Sequence, residues 1–254
     1  MRASFQGVTL GMIAFLTMRP AVAGYEVVPV TNGGVIEGVV TLAGKAPSAA
    51  ALRITKNQQY CGQTIADPVY MVDASGGLAN VIVYLKGVTR GKAGPTDPIS
   101  LVNANCMFTP RAQGAMVSGR VKLSSEDVVL HNTHAQNGDN DATIINVALP
   151  FKGFAVTKPL PALPMMINVK CDAHEWMHAW IMELEHPYYV TTGADGHFSI
   201  KDIPQGNYTL AVWHEAAGEQ SADVVVTANQ ATAVRFELAA KNRAVGTAKK
   251  GEQP

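Results

Sequence analysis

The sequence is short of cysteine, of charge of either sign and of long apolar runs. It has three cysteines in 254 residues, Cys61, Cys106 and Cys171, too few for a disulfide-dense scaffold or a multi-thiolate cluster. Lys plus Arg and Asp plus Glu are both 20, which argues against a nucleic acid or an anionic membrane surface as partner. No stretch reaches the ~18 apolar residues that a membrane-spanning helix needs. The longest, Gly7 to Met18, follows Arg2 and runs into Ala21-Val22-Ala23. That order reads as a secretory signal peptide, residues 1–23, cut after Ala23. Its removal takes away Arg2 and Arg19, two of the 20 basic residues, and leaves 18 against 20 acidic. The mature chain is expected to be periplasmic or secreted. An odd number of cysteines in an oxidising compartment leaves one over. The economical assignment is a Cys61–Cys106 disulfide with Cys171 as a free thiolate. Spacing does not fix connectivity, so three independent cysteines are the alternative.

What is present is β pattern almost throughout. Gly34–Leu42 and Val81–Val88 are rich in β-branched residues and bounded by Gly and Pro. Phe198–Ile200, Tyr208–Trp213, Ala222–Thr227 and Ala233–Leu238 follow, and Tyr208, Leu210 and Val212 alternate as in a half-buried strand. Ala74-Ser-Gly-Gly77, Asp195-Gly196 and Pro204-Gln-Gly-Asn207 mark turns. Many short strands with turn chemistry between them predict an all-β fold of sandwiches. From Lys241 to Pro254 the chain is polar and aperiodic, and is expected to be a disordered tail.

Two distant pieces share one likeness. GVIEGVVTLAGKAP at the front and TTGADGHFSIKDIPQGNYTLAVWHE near the end resemble the two ends of a carboxypeptidase regulatory-like domain, a small transthyretin-like sandwich. The D-G-x-F turn at Asp195, Gly196 and Phe198 carries it, with I-P-x-G-x-Y at Ile203, Pro204, Gly206 and Tyr208. The resemblance implies a discontinuous outer sandwich, residues 24–97 and 185–240, around an insertion at 98–184.

The insertion has its own pattern. Asn105-Cys-Met-Phe-Thr-Pro110 opens it, Gly119-Arg-Val-Lys-Leu123 and Val128–His134 follow, and Ile167–Cys171 leads into CDAHEWMHAW. This resembles a cupredoxin, the blue-copper sandwich, of the amicyanin and plastocyanin kind. His131-Asn132 matches the ligand at the end of a middle strand. Cys171, His174 and Met177 match the short C-x-x-H-x-x-M ligand loop 40 positions on. The resemblance implies one mononuclear copper ion held by His131, Cys171, His174 and Met177. Two imidazoles, a thiolate and a weak thioether suit an ion that alternates between Cu(I) and Cu(II). Loop amides and the residue after His131, Asn132, are expected to hydrogen-bond the sulfur and tune its potential. Ser125-Glu126 stand where relatives carry an Asn-Asp pair. His134 is the alternate to His131, although in extended chain positions i and i+3 face opposite ways. In the alternative reading Cys171 is a buried structural thiol and Met177 is core; with ten methionines in the chain, Met177 alone weighs little.

The same stretch contains H-E-x-x-H at His174, Glu175 and His178, a zinc-peptidase signature when helical. The approach Ile167–Cys171 reads as strand, Ile181 replaces the expected glycine, and His186 lies two residues too late for a third ligand. Glu183 and Glu185 lie too close in sequence to serve. A binuclear copper loop needs two cysteines, and a multicopper oxidase needs H-x-H pairs, of which there are none. No enzyme activity is therefore expected. His178, His186 and His214 read as surface or satisfied structural histidines, and Trp176 and Trp180 as packing around the loop. The expected function is one-electron transfer between redox proteins, such as a c-type cytochrome or a periplasmic dehydrogenase. The alternatives are a copper carrier or sensor, or an adhesion or carbohydrate-binding sandwich without metal.

Overall fold

Alternating burial along the strands decides the architecture. In Arg120–Ser125 the inward residues are Val121, Leu123 and Ser125, while Arg120 and Lys122 face water; a sheet with one such face must bury it against another. The computed structural model describes residues 24–47 and 51–241. The expected signal peptide, and the expected tail beyond Lys241, lie outside the described residues.

Strands between positions 99 and 184 form two sheets. One runs Thr143–Leu149, His131–Asn137, Met166–Lys170, His178–Leu184, Ala112–Met116 in spatial order. The other runs Ala155–Pro159, Arg120–Ser125, Ile99–Ala104, Met107–Thr109. Between them lies a core that includes Leu101, Phe108, Leu123, Leu149, Ile167, Val169 and Ile181. Strands outside that span build a second pair of sheets. Tyr189–Thr191, Ile82–Lys86, Gly206–His214 and Gly218–Val226 form one; His197–Ile203, Gly34–Ala43 and Ala231–Ala239 form the other. Ile36, Val40, Leu85, Val212 and Phe236 fill the space between them. The strand Gly34–Ala43 pairs in parallel with Ala231–Ala239, from Val35 opposite Ala231 to Ala43 opposite Ala239. The front and the end of the chain thus share one sheet, and everything between returns to it. At the Asp195-Gly196 turn, φ of +75° and a virtual Cβ only 2.3 Å from the Val40 carbonyl oxygen admit no residue but glycine.

The two pairs of sheets meet through Ile82, Tyr84, Ala112, Met182, Leu184 and Ala211. Trp180 and Trp213 touch edge to face at 5.4 Å. Arg111, 7 % exposed, forms a bidentate ion pair with Glu215, 8 % exposed, through Nε and Nη2, and Trp180 Nε1–H also donates to Glu215.

One segment departs from the expected division. The short hairpin Ala51–Arg53 with Thr64–Ala66, enclosing a one-turn helix Gln58–Cys61, was expected in the outer sandwich. Instead Ile54 is fully buried in the core of the 99–184 sheets, with Leu52 and Ile65 packed beside it. Burying such an isoleucine stabilises by about 1.5–3 kcal/mol. Cys61 at the end of the helix is bonded to Cys106, and Cys171 is free and buried. This is the expected pairing.

Candidate metal centre

Three tight steps shape the loop after the strand Met166–Lys170. His174 N–H donates to the Cys171 carbonyl, Met177 N–H to the His174 carbonyl, and Cys171 N–H back to the Met177 carbonyl. Residues three apart therefore return to one side, and Cys171, His174 and Met177 are all buried while Asp172 and Glu175 are exposed. His131 comes from the start of the adjacent strand, fully buried.

The loop and the strand bring three donor atoms together. His131 Nδ1 and His174 Nδ1 are 2.9 Å apart, and Cys171 Sγ lies 3.6 Å from the second and 4.0 Å from the first. A point about 2.1 Å from all three exists, inside the ~2.0–2.3 Å range of metal–nitrogen and metal–thiolate bonds.

The far sides of both rings fix which nitrogen is free. His131 Nε2–H donates to Asp127 Oδ2 at 2.9 Å. His174 Nε2–H donates to Asn57 Oδ1 at 2.9 Å. With those protons placed, each neutral imidazole presents its Nδ1 lone pair to the other. The two lone pairs face each other at 2.9 Å with no proton between them, the Cys171 S–H can serve only one of the two nitrogens at a time, and a cation relieves the remaining repulsion. The donor set therefore fits an ion bound by two imidazoles and a thiolate, the combination that suits copper or zinc.

Electrostatics point the same way. Burial lowers the pKa of His174 to about 4, with the neighbouring His131 and Lys56 adding to the effect. Burial also lowers His131, against the pull of Asp127. Both rings are neutral at pH 7, as ligands must be. Burial raises the Cys171 thiol, opposed by backbone N–H groups of Asn132, Ala173 and His174; a bound cation would reverse that balance and hold the thiolate. The Asn132 N–H lies 3.4 Å from Cys171 Sγ.

Asp127 was missed by the sequence reasoning, which stopped at Ser125-Glu126. Its carboxylate accepts from the N–H of Asn105 (2.8 Å) and of Cys106 (2.9 Å), from the Tyr60 hydroxyl (3.0 Å) and from His131. Asn105 and Cys106 both have positive φ, +53° and +56°, in the two-residue turn between Ile99–Ala104 and Met107–Thr109. A carboxylate four residues before a candidate ligand was a signal available in the sequence. Asn57, from 117 positions away, had none.

The other expected residues fall as follows. Met177 is fully buried in the same core cluster as Cys171 and Trp176. His134 faces the opposite side of its strand: Nδ1 meets the Asp172 carboxylate at 2.9 Å and Nε2 meets Thr143 Oγ1 at 2.8 Å, so neither nitrogen joins the cluster. His174 lies in the irregular loop and His178 opens a strand, so the H-E-x-x-H residues share no helix face. His186 donates to the Leu85 carbonyl and His214 to the Val69 carbonyl, and the second nitrogen of each accepts a backbone N–H. Trp176 packs 4.9 Å from His174 and donates to the Cys106 carbonyl.

Comparison with known proteins adds two likenesses. Residues 183–239 match the carboxypeptidase regulatory-like domain. Among solved structures, amicyanin from Paracoccus versutus aligns over 35% of this chain and 84% of its own, at 13% identity and TM-score 0.31. A purple cupredoxin from Nitrosopumilus maritimus aligns over 34% and 99%, at 16% identity and TM-score 0.29. A Cu-containing nitrite reductase from Thermus scotoductus aligns at 18% identity and TM-score 0.32, over 37% of this chain but only 24% of its own length. No curated protein matches. The case for a metal rests on the donor atoms.

Proposed function

We propose that the chain is an exported mononuclear copper protein that passes single electrons between redox partners. His131, Cys171 and His174 would hold the ion, with Met177 as a weak fourth ligand and His131 preferred to His134. The copper-bearing unit would span 98–184 with the cover 51–66 packed on it. The outer sandwich would comprise the rest of 24–97 with 185–240. The observation that carries this reading is the convergence of two Nδ1 lone pairs and a thiol sulfur, each ring fixed from behind.

Copper there supplies a one-electron couple. The residues supply rigidity: Asp127 and Asn57 fix ring tautomer and orientation, and the Asn132 amide steadies the sulfur. The complete burial of His131 and His174, with Cys171 2 % exposed, excludes water and competing ligands. A c-type cytochrome or a periplasmic dehydrogenase is the kind of partner proposed, and no hydrolytic role is assigned to Glu175.

Titration of the mature protein with Cu(II), followed in the visible spectrum, tests this. A strong thiolate-to-copper band that bleaches reversibly on reduction and vanishes in Cys171→Ser is expected. Copper binding without that band would make the protein a carrier or sensor, and no binding would defeat both.

A further inference from the structure

His174 sits on a loop at the end of its sandwich between exposed neighbours, Asp172 and Glu175, yet none of it reaches solvent. His131 and Trp176 pack against its ring, and on the Nε2 side the segment Ala51–Ala66 lies against it through Asn57. Asn57 accepts its Nε2–H. Tyr60, three residues on, donates to the Asp127 carboxylate that holds His131. The acceptor that fixes His174 and a donor to the carboxylate that fixes His131 thus lie on one short turn, and Cys61, the next residue, is clipped to Cys106.

Apart from that clip the segment is lightly attached. Its three-residue ladder pairs only with itself, and its one-turn helix buries no residue. Asn57 stands at the helix start in the left-handed region, φ +53°. Ile54, flanked by Leu52 and Ile65, is its main apolar anchor. Segments with few buried contacts open independently of the global fold. A disulfide holds such a segment by removing the conformations in which its ends separate.

We infer that residues 51–66 form a disulfide-clipped cover over the His174 side of the donor cluster, opened by reduction of Cys61–Cys106. The inference rests on the metal reading for its purpose but not for its test. The reductant is a dithiol. Its thiolate attacks the sulfur of Cys61, the partly exposed residue of the pair, Cys106 leaves and takes up a proton, and the second thiol resolves the mixed disulfide. Two electrons and two protons end on Cys61 and Cys106, and the dithiol becomes a disulfide. Asn57 and Tyr60 leave with the cover, and His174 loses both its cover and the acceptor that fixed its ring.

The test uses the metal-free mature chain and diethyl pyrocarbonate, which acylates accessible imidazole nitrogen, with each histidine read by peptide mass spectrometry. With the disulfide intact, exposed His197 is expected to react while His174, His186 and His214 are protected. After reduction with dithiothreitol and desalting under argon, the His174 rate is expected to rise about tenfold or more, with His186 and His214 still protected. Asn57→Ala with the disulfide kept is expected to leave His174 protected, because the cover remains. An unchanged His174 rate after reduction would overturn the inference. So would a rise shared by His186 and His214, which marks global unfolding, or an Asn57→Ala effect as large as that of reduction. Copper binding is read separately by the thiolate band, so the metal reading and the cover stand or fall apart.

Discussion

Glu183 offers the sharpest test of the energetics, away from the candidate metal centre. It lies in the strand His178–Leu184, opposite Ala115, only 1 % exposed. Neither carboxylate oxygen has a hydrogen-bond partner among the described residues. Burial alone raises its pKa from 4.5 to about 8. A raised carboxyl is harmless to stability below its unfolded pKa, where both states are protonated. As pH climbs from 4.5 towards 8, the unfolded chain ionises and the folded one resists, so stability is lost on the alkaline side. Across that window one proton separates the two states, so the loss should run near 1.4 kcal/mol per pH unit and reach about 5 kcal/mol by pH 8. That is a large share of a typical ~5–15 kcal/mol total. Glu183→Gln keeps shape and polarity and removes the titration. Urea unfolding at pH 5, 6, 7 and 8 should show the variant within about 1 kcal/mol of wild type at pH 5 and more stable by several kcal/mol at pH 8. Parallel curves for the two proteins across that range would refute the reasoning, because Glu183 would then have found water or a partner.

Asp127→Asn leaves an amide where four donors converge on a carboxylate; copper affinity should fall about 10- to 100-fold, measured by competition with a chelator of known affinity. Arg111→Met strands the buried Glu215 carboxylate and should cost about 3–5 kcal/mol, while Arg111→Met with Glu215→Leu should recover most of it; chemical denaturation of the three variants checks both. His134→Ala should leave the thiolate band in place, since both ring nitrogens are engaged outside the cluster, whereas His131→Ala should abolish it.

The sequence made the β architecture and the pairing of Cys171 with His174 legible for local reasons. Alternation in Tyr208–Trp213 and turn chemistry at Asp195-Gly196 are short-range signals, and the observed strands His197–Ile203 and Gly206–His214 enclose the expected ones. Cys171 and His174 are three apart, and a three-residue turn brings their donor atoms to 3.6 Å; Met177, three further on, is buried in the same core cluster. His131 needed a long-range match, which the 40-residue gap supplied. His134 was separable from His131 by strand parity alone: its ring meets Asp172 and Thr143 on the outer face.

What the sequence did not show lies in contacts that no periodicity encodes. Asn57 and Tyr60 sit in a stretch without apolar pattern, and the packing of Ile54 together with the Cys61–Cys106 bond brings them over the donor cluster. The cysteine arithmetic did contain part of the answer. A Cys61–Cys106 bond ties the 51–66 segment to the turn whose amides hold Asp127, so assigning that disulfide already placed the segment beside His131. The same bond explains why a piece of chain lying before the inserted sheets is packed with them and not with the sandwich that surrounds them. The candidate ligand loop can be read from its own residues; the acceptors that orient its rings come from wherever the fold carries them.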